Sequence, residues 1–284
     1  SPKAGNDSLL FWARLKAGFA GYYLDSVTAA KTNYLAAISL KQKLTGIPDS
    51  LLFTPYLYTG GIYYLQNQFD SALTFYKMAE HINDLYKSPL NESQRLYNRL
   101  GVMFYETGNY RQARNYFEKA ITLTNPDDIN LLANYKINIA SLLVKLEEFP
   151  AAEAMYKSLL PYNIYQNEIY HNLGIIALAQ KDYYRAITYL LKVKYPGDPK
   201  SIDLYVHIGM AWSGLKNVDS SAFFIQAALK ENQKWNGQRK NISTGLIRKF
   251  QADELIHQQA FKKAVVLYQQ AIIEFDNNFN DTDI

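Results

Sequence analysis

Residues 97–120 read YNRLGVMFYETGNYRQARNYFEKA, and their spacing recurs along the chain. Around the small residue Ala113, Tyr110 stands three before, Phe117 four after and Ala120 seven after. Offsets of −3, 0, +4 and +7 share one stripe of a 3.6-residue helix, with small side chains alternating with large ones so that a second helix can approach closely. Tyr97, Leu100, Gly101 and Phe104, at −16, −13, −12 and −9, form another such stripe, and the breakers ETGNY separate the two. The stretch predicts helix A, a short turn and helix B.

The same frame fits six times. The anchors are Ala72, Ala113, Ala152, Ala186, Ser221 and Ala264, at separations of 41, 39, 34, 35 and 43 residues. Position +4 reads Tyr76, Phe117, Tyr156, Leu190, Ile225 and Tyr268, and position −12 reads Gly60, Gly101, Ala140, Gly174, Gly209 and Ala252. Pro48, Pro89, Pro126, Pro161, Pro196 and Pro199 fall between units, where a helix must stop. The two helical stretches of residues 8–45 read as a degenerate hairpin covering the first unit, since the end of a repeat array exposes an unpaired apolar face. The expected organisation is an N-terminal capping hairpin over 1–48, six repeats over 49–276 and a flexible acidic tail over 277–284.

This pattern of aromatic, Leu-Gly, Tyr, then Ala, Phe, Ala and Pro resembles the tetratricopeptide repeat (TPR) family. The second, fourth and fifth units match best, and Lys136 and Arg248 replace the first aromatic in the third and sixth. The 39 to 43 spacings resemble the longer units of kinesin-light-chain-type arrays. The resemblance implies an all-α, right-handed helix-turn-helix solenoid acting as a non-catalytic protein-binding scaffold. It also permits another role, as the regulatory arm of a larger bacterial enzyme such as a CHAT-type peptidase or a sensor kinase.

Composition narrows the chemistry. Of 284 residues, 48% are apolar and 20% charged, enough for a sizeable core. The absence of cysteine excludes disulfides, thiolate catalysis and sulfur-ligated zinc. Thirty Lys and Arg against 26 Asp and Glu leave only +4, which disfavours a nucleic-acid partner. No apolar run reaches the roughly 18 residues of a membrane span, so a soluble segment of cytoplasm or bacterial periplasm is expected. No GxSxG, GK[ST] loop, HExxH or GxGxxG is present, and neither catalytic residue nor cofactor is expected. His81, His171, His207 and His257 lack helical i, i+4 pairing; His171 and His207, on successive A helices, read as solvated surface groups rather than metal ligands. Asp276-x-Asn278-x-Asn280 opens like a calcium loop but has Asp281 where Gly is required. The basic cluster between Lys230 and Lys263 reads as a solvated face.

What remains is the face of helix A opposite its packing stripe, rows −14 and −18, expected to line the concave groove. They carry the candidate peptide-binding residues Tyr58, Arg95, Arg99, Asn134, Asn138, Glu168, Asn172 and His207. Side-chain amides donate and accept together, which suits the backbone of an extended peptide. Against this, asparagine is simply common in the chain. The Lys, Arg and Asn set by which some TPR modules clamp a chaperone's terminal carboxylate is not matched, because the fourth unit offers Glu168 and Asn172 instead.

Overall fold

The computed structural model describes residues 2–237 and 240–276. Among them are fourteen α-helices and no strand, in two compact units divided between Leu146 and Glu147. The first unit holds α1 (Pro2–Tyr23), α2 (Val27–Lys41), α3 (Phe53–Leu65), α4 (Phe69–Asp84), α5 (Ser93–Glu106), α6 (Tyr110–Thr122) and α7 (Ile129–Lys145). The second holds α8 (Phe149–Leu159), α9 (Gln166–Ala179), α10 (Tyr183–Leu190), α11 (Lys200–Gly214), α12 (Val218–Asn236), α13 (Ile242–His257) and α14 (Phe261–Phe275). Within the first, α1 pairs with α2, α3 with α4 and α5 with α6; within the second, α9 pairs with α10, α11 with α12 and α13 with α14.

Small-against-large packing explains these pairs. All six anchors are buried, and so are five of the six residues at +4, Tyr268 being half-buried. A Cβ placed on Gly60 would lie 2.6 Å from the Tyr76 ring, and on Gly101 2.5 Å from the Phe117 ring. Gly174 and Gly209 stand in the same relation to Leu190 and Ile225, at 2.5 and 2.8 Å. These four hairpins thus close by seating the +4 side chain on bare backbone at −12, where burying an aromatic or aliphatic group contributes about 1.5–3 kcal/mol.

Two expectations change. Position −3 joins the packed stripe only in part: Phe69, Val218 and Phe261 are exposed while Tyr110, Phe149 and Tyr183 are half-buried, because −3 is the first residue of each B helix and its side chain leans back toward the helix end. The N-terminal hairpin, expected to be degenerate, keeps the repeat register. Val27 begins α2, Ala30, Tyr34 and Ala37 are fully buried, and a Cβ placed on Gly18 would lie 2.6 Å from the Tyr34 ring.

The A-to-B turns share one backbone solution. The residue five before each anchor, counting Ala30, is left-handed: Asp25, Asn67, Gly108, Glu147, Lys181, Lys216 and Gln259, with φ between 56° and 75°. In six of these turns the next N–H donates to the carbonyl five residues back, as Asn109 does to Phe104 at 2.8 Å and Asn217 to Trp212 at 3.0 Å. The side chains of Asn109, Asp182 and Asn217 then cap the B helices.

The acidic tail lies outside the described residues, as does the calcium-like run beyond Asp276. Arg239 of the basic cluster is outside them too, while Lys234, Arg248 and Lys249 pair with Glu231, Glu274 and Asp253. No helix among the described residues is long and apolar enough to cross a membrane.

Candidate functional site

On α5, Arg95, Asn98, Arg99 and Val102 recur at i, i+3, i+4 and i+7 and share one face. They meet Leu131, Asn134 and Tyr135 of α7, Tyr64 of α3 and Tyr76 of α4 around a cavity of about 240 Å³, wholly within the first unit.

Arg99 is the centre of this wall. Gly61 of α3 makes room for it, since a Cβ there would sit 3.3 Å from the Arg99 Nη1. Its Nη2 donates to the Tyr22 hydroxyl at 3.3 Å, and the side chain also hydrogen-bonds Tyr76. Both partners are phenol hydroxyls. Among the ion pairs of the described residues, none involves Arg99, so its charge is held by hydroxyl dipoles alone.

Arg95 is treated differently: its Nε lies 3.4 Å from Oε1 of Glu92, which also accepts a 2.8 Å hydrogen bond from the Tyr58 hydroxyl. Glu92 is the N-cap of α5 and is left-handed at φ 69°, a backbone state that a side chain with a Cβ adopts only where its surroundings hold it. Opposite, Tyr135 is only 2% exposed, and its buried hydroxyl has no hydrogen-bond partner. Burial raises the Tyr135 pKa to about 12, against the lowering influence of Arg95 and Arg99, so the hydroxyl keeps its proton.

Of the candidate residues, Arg95, Arg99 and Asn134 come together here. Asn138 adjoins them, its amide donating to Asn98 at 2.9 Å. Tyr58 is buried with Phe11, Tyr34 and Ile62, its ring against Tyr22 of α1, which the sequence reading did not place over it. The others lie in the second unit. Glu168 is 3.5 Å from the Lys200 ammonium, and the Asn172 amide donates to the Glu168 carbonyl of its own helix. His207 Nδ1 lies 2.9 Å from His171 Nε2, a direct hydrogen bond between half-buried imidazoles. This corrects the expectation of two solvated histidines: successive A helices stack their −14 and −15 positions edge to edge. Asn98, Tyr64, Tyr76 and Tyr135 were not among the candidates.

Residues 94–127 and 137–199 match two family models, both described as Tetratricopeptide repeat. The Type II methyltransferase M.CeqI of Rhodococcus hoagii is 30% identical over 168 residues, 55% of this chain and 32% of that protein. The chain spans about a third of the length of the curated relatives it matches. Among solved structures, the apo form of the quorum sensor NprR from B. thuringiensis superimposes with a TM-score of 0.72 at 13% identity, covering 94% of this chain and 87% of that one. A Rap protein complexed with Competence and Sporulation Factor gives 0.64 at 15% identity, covering 94% and 86%. At these identities the structures speak to the fold alone.

Proposed function

Because the chain is a tetratricopeptide-repeat protein, we propose that it is a non-catalytic scaffold that holds a protein or peptide partner against the A-helix face carrying the α5–α7 cavity. The observation that carries this reading is the cavity itself: amide and guanidinium groups of Asn98, Asn134, Arg95 and Arg99 converge on a space about large enough for one or two side chains. The two asparagine amides both donate and accept, which suits an extended backbone, and the guanidiniums add donors. The complex of the structurally similar Rap protein with Competence and Sporulation Factor supports a bound partner for this fold.

Partner recovery tests it. The paired Asn98→Ala and Asn134→Ala change should weaken binding by about 1–3 kcal/mol with little change in melting temperature, since neither side chain belongs to a buried core. Reversing Lys262 and Lys263 to Glu should leave recovery intact. Full recovery by the asparagine variant, with loss in the lysine variant, overturns the reading in favour of the basic surface of α14.

A second reading, that this is the regulatory arm of a longer enzyme, draws on the methyltransferase relative, of which the chain spans 32%. Under it, the same asparagine pair placed in the longer polypeptide changes its catalytic response to the partner; an unchanged response counts against it.

A further inference from the structure

Two features of the α5–α7 cavity stand unexplained by folding. The first is the cation of Arg99, lodged between α1, α3 and α4 with phenolic hydroxyls as its hydrogen-bond partners. A half-buried guanidinium that meets only neutral dipoles gives up hydration for weaker partners, whereas a carboxylate meets its planar fork with two parallel charge-assisted bonds. The second is the Tyr135 hydroxyl, buried on the opposite wall as a donor without an acceptor. A buried hydroxyl left unpaired is destabilising relative to a paired one. Both groups are donors, both belong to residues that line one cavity, and both lack the same kind of partner.

We propose that this cavity receives a single carboxylate, carried by an Asp or Glu side chain of the bound segment, with Arg99 as its ion-pair partner and the Tyr135 hydroxyl as an additional donor. The proposal rests on the reading of this face as the partner-binding side. Nearby acids are engaged elsewhere: Glu92 by Arg95 and Tyr58, and Asp128 by the backbone N–H of Leu131 as the cap of α7. Glu106, at the end of α5, bears on Tyr64 and is exposed. Since Glu92 already answers Arg95, the positive charge left over is that of one arginine, which matches a monoanionic carboxylate better than a phosphate dianion. The flanking Asn98 and Asn134 amides suit the backbone around the acidic residue. Free small carboxylates offer the same chemistry and are separated by the test.

The probe is a random twelve-residue peptide library displayed on phage and selected on the whole chain, with selected peptides resynthesised with Glu or Asp replaced by Gln or Asn. Expected is enrichment of one acidic position, a loss of tenfold or more in affinity on its neutralisation, and a similar loss for Arg99→Gln, the two together adding little to either alone. Tyr135→Phe should reduce affinity for the acidic peptide threefold or more while the melting temperature of the free chain stays the same or rises. That combination distinguishes a ligand contact from a structural one and holds even should Arg99→Gln fail to fold. Sodium glutarate is titrated in parallel. Stabilisation by glutarate that depends on Arg99, with no peptide selected, keeps the carboxylate receptor and assigns it to a free molecule, overturning the peptide source. Peptides that bind through Asn98 and Asn134 with no acidic requirement overturn the carboxylate receptor and leave the scaffold reading standing. The absence of both peptide binding and a response to glutarate overturns both readings.

Discussion

Gly101 faces the Phe117 ring so closely that the smallest side chain would collide with it at 2.5 Å. Gly101→Leu should therefore destabilise the chain by about 1–3 kcal/mol through overpacking, read as a lower urea midpoint with an unchanged slope. Trimming Phe117 to Val in the same chain should recover part of that loss; independent, additive effects would show that the two do not meet. This pairing was legible in the sequence because a glycine recurring at −12 opposite an aromatic or aliphatic residue at +4 has few other uses inside a helix. The histidine contact was not legible. His171 and His207 occupy neighbouring rows on different helices, and only the stacking of α9 on α11 brings their rings within 2.9 Å. Burial lowers the His171 pKa from 6.5 to about 4, with Lys200 adding to the effect, and burial followed by the charge of His171 lowers that of His207 to about 3. Protons thus bind the unfolded chain more readily, so the contribution of the neutral pair is complete above about pH 6.5 and is lost as pH falls toward 4. The slope reaches about 1.4 kcal/mol per pH unit for each histidine. Urea midpoints at pH 7.5 and 5.0 check this, and His207→Gln should flatten the difference; a dependence equal in the variant places it elsewhere.

Among the elements, the A-to-B turn is the most uniform, although its sequence is not. The left-handed position is glycine in one turn, Gly108, and Lys, Glu, Gln, Asp or Asn in the rest. A search for turn glycines therefore finds one turn of seven; helix register finds all, because the turn follows from where the stripes begin and end. At Lys216, with φ 60°, the Cβ is strained where glycine would not be, and Lys216→Gly should raise stability by about 0.5–1 kcal/mol. Gly108→Ala should lower it by a similar amount, and equal melting temperatures for both variants and the parent would contradict the assignment. Helix register also reveals what the first hairpin is. Its A helix has Arg14, Ala17 and Gly21 where most others carry aromatic or large apolar residues, so a search led by those aromatics passes over it, yet Gly18, Val27, Ala30, Tyr34 and Ala37 keep the frame. The candidate site was read on two rows of helix A, and three of those residues, Arg95, Arg99 and Asn134, line the α5–α7 cavity. It missed Tyr76 because that residue already serves as the core residue at +4, and it overlooked that α1 buries Tyr58.

At the level of the molecule, the first unit contains complete hydrophobic clusters of its own, one around Phe11, Tyr34 and Ile62 and another around Tyr76, Leu96 and Leu100, together with every residue lining the α5–α7 cavity. A fragment of residues 1–146 should therefore fold alone with a helical spectrum and a single cooperative thermal transition. A broad, gradual loss of ellipticity would mean that the unit depends on the rest of the chain. The boundary at Leu146 was not visible in the sequence, because the third repeat keeps the common register across it: Ala140 is in α7 and Ala152 in α8.

Since the left-handed turn has the same length in every hairpin, the spread of anchor separations from 34 to 43 residues must be absorbed elsewhere, and the B helices, from eight residues in α10 to nineteen in α12, absorb much of it. Length is thus rigid inside a hairpin and elastic after it. For anyone wishing to splice in an epitope, a fluorophore site or a protease cleavage sequence, the loops near Gly46 and Gly197 are the natural entry points: both are exposed and lie after a B helix, outside the A-to-B turns. The turns at Asn67 or Lys181, though just as exposed, would reject the same insert by shifting both stripes out of phase.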